Sequence, residues 1–284
     1  MSTSASTPAA HHVALQVIDF GDRRVEYVAA GSGPAVVMIH GSNCSADDWS
    51  DVVPHLTAGY RVIVPDGLVH AHDPWLIWCL LDHLGIDDAV LAGHSSGGMV
   101  ARAMYRLQPQ RVRAMVMADS QGAGPLIRAW RLPHERFSPP AARMYEQHRS
   151  LMAQLAEHHR DDYPSMVNIE KRLRGLRRAR MSAGELAQTR PGPAAVAHAG
   201  APPPAPEPIP EDGKYMTCPV LICLAGRGKV GQEDFTAEWL DPLLAADVEL
   251  TVTREAGHWC WLDQPEWFLS HLEPFLARTR GAAA

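Results

Sequence analysis

Four short apolar runs dominate the folding problem this chain poses: Ala35–Ile39, Ala89–Ala92, Val112–Ala118 and Val220–Leu224. None alternates cleanly between apolar and polar residues, as a strand with one wet face would. A strand apolar at nearly every position needs cover on both sides. Stretches of helical character, Ala46–Leu56, Trp75–Leu84 and Gly98–Leu107, separate them, the last closed by Pro109. Strand and helix in alternation build a mostly parallel sheet with helices on its faces.

Further strands are expected at Arg61–Val64, which follows Gly59-Tyr60, and at Val248–Val252. Val13–Ile18 and Arg24–Val28, turned at Gly21-Asp22, read as an opening hairpin. A helix near Phe235–Leu244 and a terminal helix from Pro265, with proline in its first turn, complete the pattern. The expectation is an α/β core of residues 13–120 and 215–280, with an eight-stranded, mostly parallel sheet flanked by helices.

Residues 121–214 break the rhythm. The segment opens with glycine and proline, carries Arg/Glu/Met-rich helical stretches at Ala141–His159 and Asn168–Leu186, and closes in a Pro/Ala-rich tract, Pro191–Pro210. That tract is expected to form no regular structure. Because strands resume directly afterwards, the segment reads as a helical, Pro-rich lid inserted after the sixth strand. Residues 1–12 are rich in Ser, Thr and Ala and lack an apolar stretch behind a basic start. They read as a disordered leader.

A net charge of −6 offers no basic footprint, so no nucleic-acid partner is expected. No apolar run reaches membrane-spanning length, so no membrane partner is expected. The five cysteines, Cys44, Cys79, Cys218, Cys223 and Cys260, are odd in number and mostly embedded in apolar segments. They fit reduced thiols of a cytoplasmic protein. His70-x-His72-Asp73 is the nearest approach to a metal site. A stable site needs three or four converging ligands, and no partner motif follows, so neither metal nor cofactor is expected.

Gly93-His94-Ser95-Ser96-Gly97 matches G-x-S-x-G in the one frame that centres Ser95, since position 94 is His rather than Gly. An apolar strand runs into it and a helix leaves it. Strand, turn and helix together are the context of a nucleophile elbow, which lifts the serine hydroxyl above the sheet edge. Among 15 histidines, His258 stands out by position. It follows Gly257 in the loop between the last strand and the terminal helix.

With His40-Gly41 after the third strand, the elbow at Ser95 and Ala256-Gly257-His258-Trp259 after the last strand, the chain resembles the α/β-hydrolase superfamily. It is most similar to the lidded serine esterase-like branch. The resemblance spans from about Val25 to the terminal helix. It implies Ser95 as nucleophile, His258 as base, and the backbone N–H groups of Ser96 and Ser42 as oxyanion donors. Asn43 stands close enough to add a side-chain donor.

The acid departs from the usual pattern. Relatives carry Asp in the loop after the penultimate strand, where this chain reads Ala225-Gly226-Arg227-Gly228-Lys229-Val230. Lysine cannot accept the imidazole N–H. A minority of the superfamily places the acid one strand earlier, and Asp119 ends Val112–Ala118 here. Asp119 is the favoured orienter; Asp234, Glu233 or a water-assisted dyad are the alternatives. The loop after Asp66 is also short, entering the next helix at Pro74.

The reading is a serine hydrolase with a small or medium carboxylic ester, lactone or thioester as acyl substrate, acting as monomer or homodimer. A serine nucleophile separates it from the dehalogenase and epoxide-hydrolase branches, which attack through Asp. Trp130, Phe137, Tyr145 and Trp259 are candidate pocket residues. The alternatives are C–C bond hydrolysis or a lyase reaction on the same triad, or a ligand-binding protein that keeps the fold without catalysis.

Overall fold

A computed structural model describes residues 15–41, 46–66, 73–120, 196–209, 216–225 and 247–280. The expected lid helices, the helix near Phe235–Leu244 and the leader lie outside these residues. So do Ser42, Asn43, Cys44, His70, His72, Trp130, Phe137, Tyr145, Lys229, Glu233 and Asp234.

The sheet has nine strands: β1 (Leu15–Phe20), β2 (Arg23–Ala30), β3 (Ala35–Ile39), β4 (Arg61–Asp66), β5 (Ala89–His94), β6 (Val112–Ala118), β7 (Val196–Ala199), β8 (Val220–Ala225) and β9 (Val248–Thr253). Their spatial order is β7-β1-β2-β4-β3-β5-β6-β8-β9. Only β2 runs against the rest, paired antiparallel to β1 on one side and β4 on the other. Gly21, with φ 64°, makes the two-residue turn that pairs Phe20 with Arg23.

Among the described residues the α-helices are α1 (Val53–Leu56), α2 (Pro74–His83), α3 (Ser96–Leu107), α4 (Cys260–Asp263) and α5 (Pro265–Thr279). The single helix expected over Ala46–Leu56 is divided into a 3₁₀ turn, Ala46–Trp49, and α1. Pro54 explains the break. It has no N–H to continue an existing helix, yet it fits the first turn of a new one.

The central strands bury both faces, and their residues alternate strictly between two cores. Val37, Ile39, Leu91, Met115, Met117 and Ile222 pack toward α2 and α3. Val36, Met38, Val90, Ala92, Val116 and Leu221 face Trp49, Trp261, Phe268 and Phe275 on the other side. This is the period of two expected of a pleated strand with both faces covered. Four described cysteines are buried free thiols. Desolvation pushes Cys79 up to about 11 and Cys218 up to about 12, so both stay protonated and unreactive near neutrality.

One expectation is overturned. The tract Pro191–Pro210 carries regular structure: β7 lies parallel to β1, from Val17 opposite Val196 to Phe20 opposite Ala199. The run between Pro193 and Pro202 is free of proline, and a short edge strand needs no more than that. Beyond it the chain continues as an extended strap. Trp75 Nε1 donates to the Pro203 carbonyl at 2.7 Å, and Arg106 and Ile209 exchange two bonds of 2.9 Å. Prolines cannot donate, but their carbonyls accept, so the strap is held by the carbonyl oxygens of Pro203 and Ile209 and by the N–H of Ile209. Among the described residues the sheet therefore has nine strands rather than eight. Part of the expected lid segment belongs to the sheet edge.

Ser120 leaves the carboxyl end of β6, whereas Val196 enters β7 six strands away. At about 4.8 Å per strand this is about 29 Å, and the chain must also cross to the amino end of the sheet. Replacing residues 122–194 with a Gly/Ser linker of about 40 residues, whose mean reach is about 35 Å, is expected to leave a cooperatively folded protein. Extending the deletion to residue 214 removes β7 and the strap and is expected to lower the thermal midpoint. Circular dichroism melts check both. A short-deletion variant that never folds would make residues 122–194 part of the core.

Candidate active site

β5 delivers Ser95 to the carboxyl edge of the sheet in a conformation that few residues adopt. Its φ of 51° and ψ of −123° are sterically strained for a side chain with a Cβ. The neighbours allow it. A Cβ on Gly93 would sit 2.5 Å from the backbone of Gly97 and Gly98, and one on Gly97 would sit 2.3 Å from the Ile39 carbonyl oxygen. Only glycine at both positions lets strand, turn and helix come this close. Hydrogen bonds from Ser95 N–H to the Ala118 carbonyl (3.3 Å) and from Ser120 Oγ to the Ser95 carbonyl (2.7 Å) hold the turn from the β6 side. Ser95 Oγ makes no capping bond to α3. The N–H of Ser96 opens that helix, where peptide dipoles favour negative charge.

The β3 exit reaches the same point. A Cβ on Gly41 would lie 3.0 Å from Ser95 Cβ. His40, which precedes it, is buried.

His258 and Asp119 arrive from loops far apart in the chain. His258 Nδ1 meets Asp119 Oδ2 at 2.6 Å, across 139 residues of sequence. The other carboxylate oxygen accepts the Ala225 N–H at 3.1 Å, at the end of β8. Asp119 is fully buried and, like Ser95, has a positive φ, 40°. Its own N–H donates to the Cys223 carbonyl at 2.7 Å, which anchors the turn. Burial raises the Asp119 carboxyl above the ordinary carboxylate range, against the lowering effects of the His258 contact and the Ala225 N–H. A carboxylate facing Nδ1 must receive a proton there, which leaves Nε2 as the basic nitrogen. His258 is 23% exposed at its side chain.

Of the residues expected from the sequence, Ser95, Ser96 and Asp119 therefore stand at the adjoining ends of β5 and β6, and His258 reaches Asp119 from the loop after β9. Trp259 is 7% exposed and sends its indole N–H to Asp48 Oδ2 at 3.2 Å. Asp73, from the motif weighed as a metal fragment, caps α2 through the Leu76 N–H at 2.9 Å and pairs with Arg23. The alternatives to Asp119, namely Asp234 and Glu233, lie outside the described residues, as do Lys229, Ser42, Asn43, Trp130, Phe137 and Tyr145.

Sequence reasoning passed over two groups that touch the site. Ser120 Oγ reaches the elbow carbonyl. The His94 imidazole lies with its centroid 4.4 Å from that of His258. Neither had a signal in the pattern: the position before the elbow serine is free in G-x-S-x-G, and Ser120 lies outside that motif.

Comparison with known proteins agrees with the fold. The model of the alpha/beta hydrolase family matches residues 36–271, and the chain belongs to that family. A 2-hydroxy-6-oxo-6-phenylhexa-2,4-dienoate hydrolase of Comamonas testosteroni is 34% identical over 126 residues, covering 37% of this chain and 43% of the relative. The chain thus matches less than half the length of that relative. Among solved structures, a carboxylesterase from Bacillus subtilis superposes with a TM-score of 0.57 at 16% identity, over 92% of this chain and 90% of the other. A bacterial membrane phospholipase A superposes with a TM-score of 0.60 at 20% identity, over 95% and 87%. Among the described residues no helix is long and apolar enough to cross a membrane.

Proposed function

We propose that the protein is a serine hydrolase that forms an acyl-enzyme on Ser95, with His258 as base and Asp119 as its orienter. The observation that carries this reading is the 2.6 Å contact of Asp119 with Nδ1 of His258, beside a strained elbow serine. Asp119 fixes the tautomer, so Nε2 takes the Ser95 proton as Oγ attacks a substrate carbonyl carbon. The N–H groups of Ser96 and Ser42 receive the negative charge that develops on the carbonyl oxygen. The close approach of Gly41 to Ser95 supports the second of these. His258 then returns its proton to the leaving group, and water releases the acyl group by the same route in reverse.

The substrate proposed is a small or medium carboxylic ester, lactone or thioester. Apolar residues of the segment after β6, Trp130, Phe137 and Tyr145, are proposed to line the acyl pocket. A second reading is favoured by one observation: the substrate named for the Comamonas testosteroni relative contains no ester, so its hydrolysis breaks a carbon–carbon bond. The same nucleophile and base suit either leaving group.

A fluorophosphonate probe labels only an activated serine, and it is expected to modify Ser95, read by mass spectrometry of the modified peptide. Parallel assays on p-nitrophenyl esters and on a 2-hydroxy-6-oxo-dienoate, followed by loss of its absorbance, divide the two substrate classes. Failure to label together with no turnover of either would leave the chain a non-catalytic member of the fold.

A further inference from the structure

The base loop that carries His258 has no strand partner at its tip, yet its imidazole must be held to within a fraction of an ångström to act. The residue before the elbow serine supplies the hold. His94 Nε2 lies 3.0 Å from the backbone carbonyl oxygen of His258. A carbonyl only accepts, so Nε2 carries the hydrogen and donates it. The ring is fully buried, with its centroid 4.6 Å from Trp261, edge-on, and 5.1 Å from Trp259.

The same ring reaches the β3 turn. A Cβ on Gly41 would stand 3.0 Å from His94 Nδ1. One side chain thus touches three loops: the elbow it belongs to, the Gly41 turn and the base loop. The base loop is clasped a second time by Asp48, whose carboxylate and carbonyl accept the indole N–H groups of Trp259 (3.2 Å) and Trp261 (2.8 Å). Asp48 sets the depth of the two indoles, whereas His94 bonds to the backbone of His258 itself.

We infer that His94 is a positioning residue, whose Nε2–H to the His258 carbonyl sets the base against the elbow serine. The inference rests on the hydrolase reading for its kinetic consequence, but not for its geometry. His94→Phe keeps a ring of similar size and removes the donor. His94→Gln places an amide N–H close to where Nε2 stood.

On p-nitrophenyl butyrate, His94→Phe is expected to lower kcat about a hundredfold, the effect of misplacing a reacting group by about an ångström. KM should move less than about threefold, and His94→Gln should return to within about fivefold of wild type. Proton NMR gives an arm independent of turnover. The Nδ1 proton shared by His258 and Asp119 should resonate far downfield in wild type and His94→Gln, and broaden or vanish in His94→Phe. Far-UV circular dichroism checks that each variant folds.

If wild type neither turns over nor takes the fluorophosphonate, the hydrolase reading fails. The NMR arm then decides the inference alone: an unchanged downfield proton in His94→Phe overturns it, and a selective loss upholds it. In an active enzyme, His94→Phe at wild-type rate overturns it. So do equal losses in the Phe and Gln variants, which would assign the effect to ring packing.

Discussion

Ser95→Ala is expected to lower kcat on p-nitrophenyl butyrate by up to about a millionfold, the scale on which removal of a serine nucleophile is felt. Among the described residues no hydrogen bond depends on the hydroxyl. Ser95 Oγ makes no capping bond to α3, and the strained backbone is fixed by Gly93, Gly97 and the bonds from the β6 side. The variant should therefore melt close to wild type and bind substrate without turning it over. A variant retaining more than about a thousandth of the wild-type rate would remove Ser95 from the nucleophile role.

Asp119→Asn is expected to cost about ten-thousandfold in kcat, by analogy with the same change in a serine protease. Asn presents an N–H to Nδ1 and favours the tautomer with its proton on Nε2, where the base must be empty. Stability should respond in the opposite sense to activity. Burial raises the native carboxyl above its unfolded value, so the folded protein holds the proton more tightly than the unfolded chain does. Asp119 thus favours folding most below its unfolded value, and that contribution is lost as pH rises through the native one. Near neutrality Asp119→Asn should be at least as stable as wild type, and its advantage should shrink on acidification.

Urea titrations at two pH values, beside kcat/KM on one ester, test both halves. Asp234→Asn and Glu233→Gln serve as comparators and are expected to lose less than about tenfold, the scale of a charge that acts only at a distance. Lys229→Asp introduces a carboxylate at the position most relatives use and is expected to restore part of the Asp119→Asn loss. An active Asp119→Asn beside a dead Asp234→Asn would transfer the acid to the loop after β8. Three active acidic-residue variants would reduce the triad to a Ser–His dyad.

The local features of this fold are legible in the sequence because local physics produces them. Ala35–Ile39 and Val220–Ala225 are apolar at every position, and every position is buried. The elbow is legible for the same reason, since its glycines, its strand and its helix are contiguous. β7 was hidden by averaging: prolines on either side of Val196–Ala199 coloured a window in which four residues sufficed for an edge strand. The split at Pro54 was readable in principle, because a proline there fits a first turn better than a helix interior. The partner of His258 is non-local, 139 residues distant. Spacing alone leaves two loops open; the order β5-β6-β8-β9 puts the end of β6 within reach of the β9 loop.

Because the carboxylate directly follows β6 as the serine follows β5, two of the three proposed catalytic groups are carried by one pair of adjoining strands. Six backbone registers join β5 to β6, and Ser120 ties the elbow to the same strand end. The imidazole alone comes from elsewhere, on the stretch from β9 through α5 that docks by Phe268, Leu272 and Phe275. A partial opening of the molecule that releases this stretch would silence it with the serine and its acid still in register. Activity in such a protein would report the docking of this one part of the fold, and tightening that seam is expected to guard it against such partial opening.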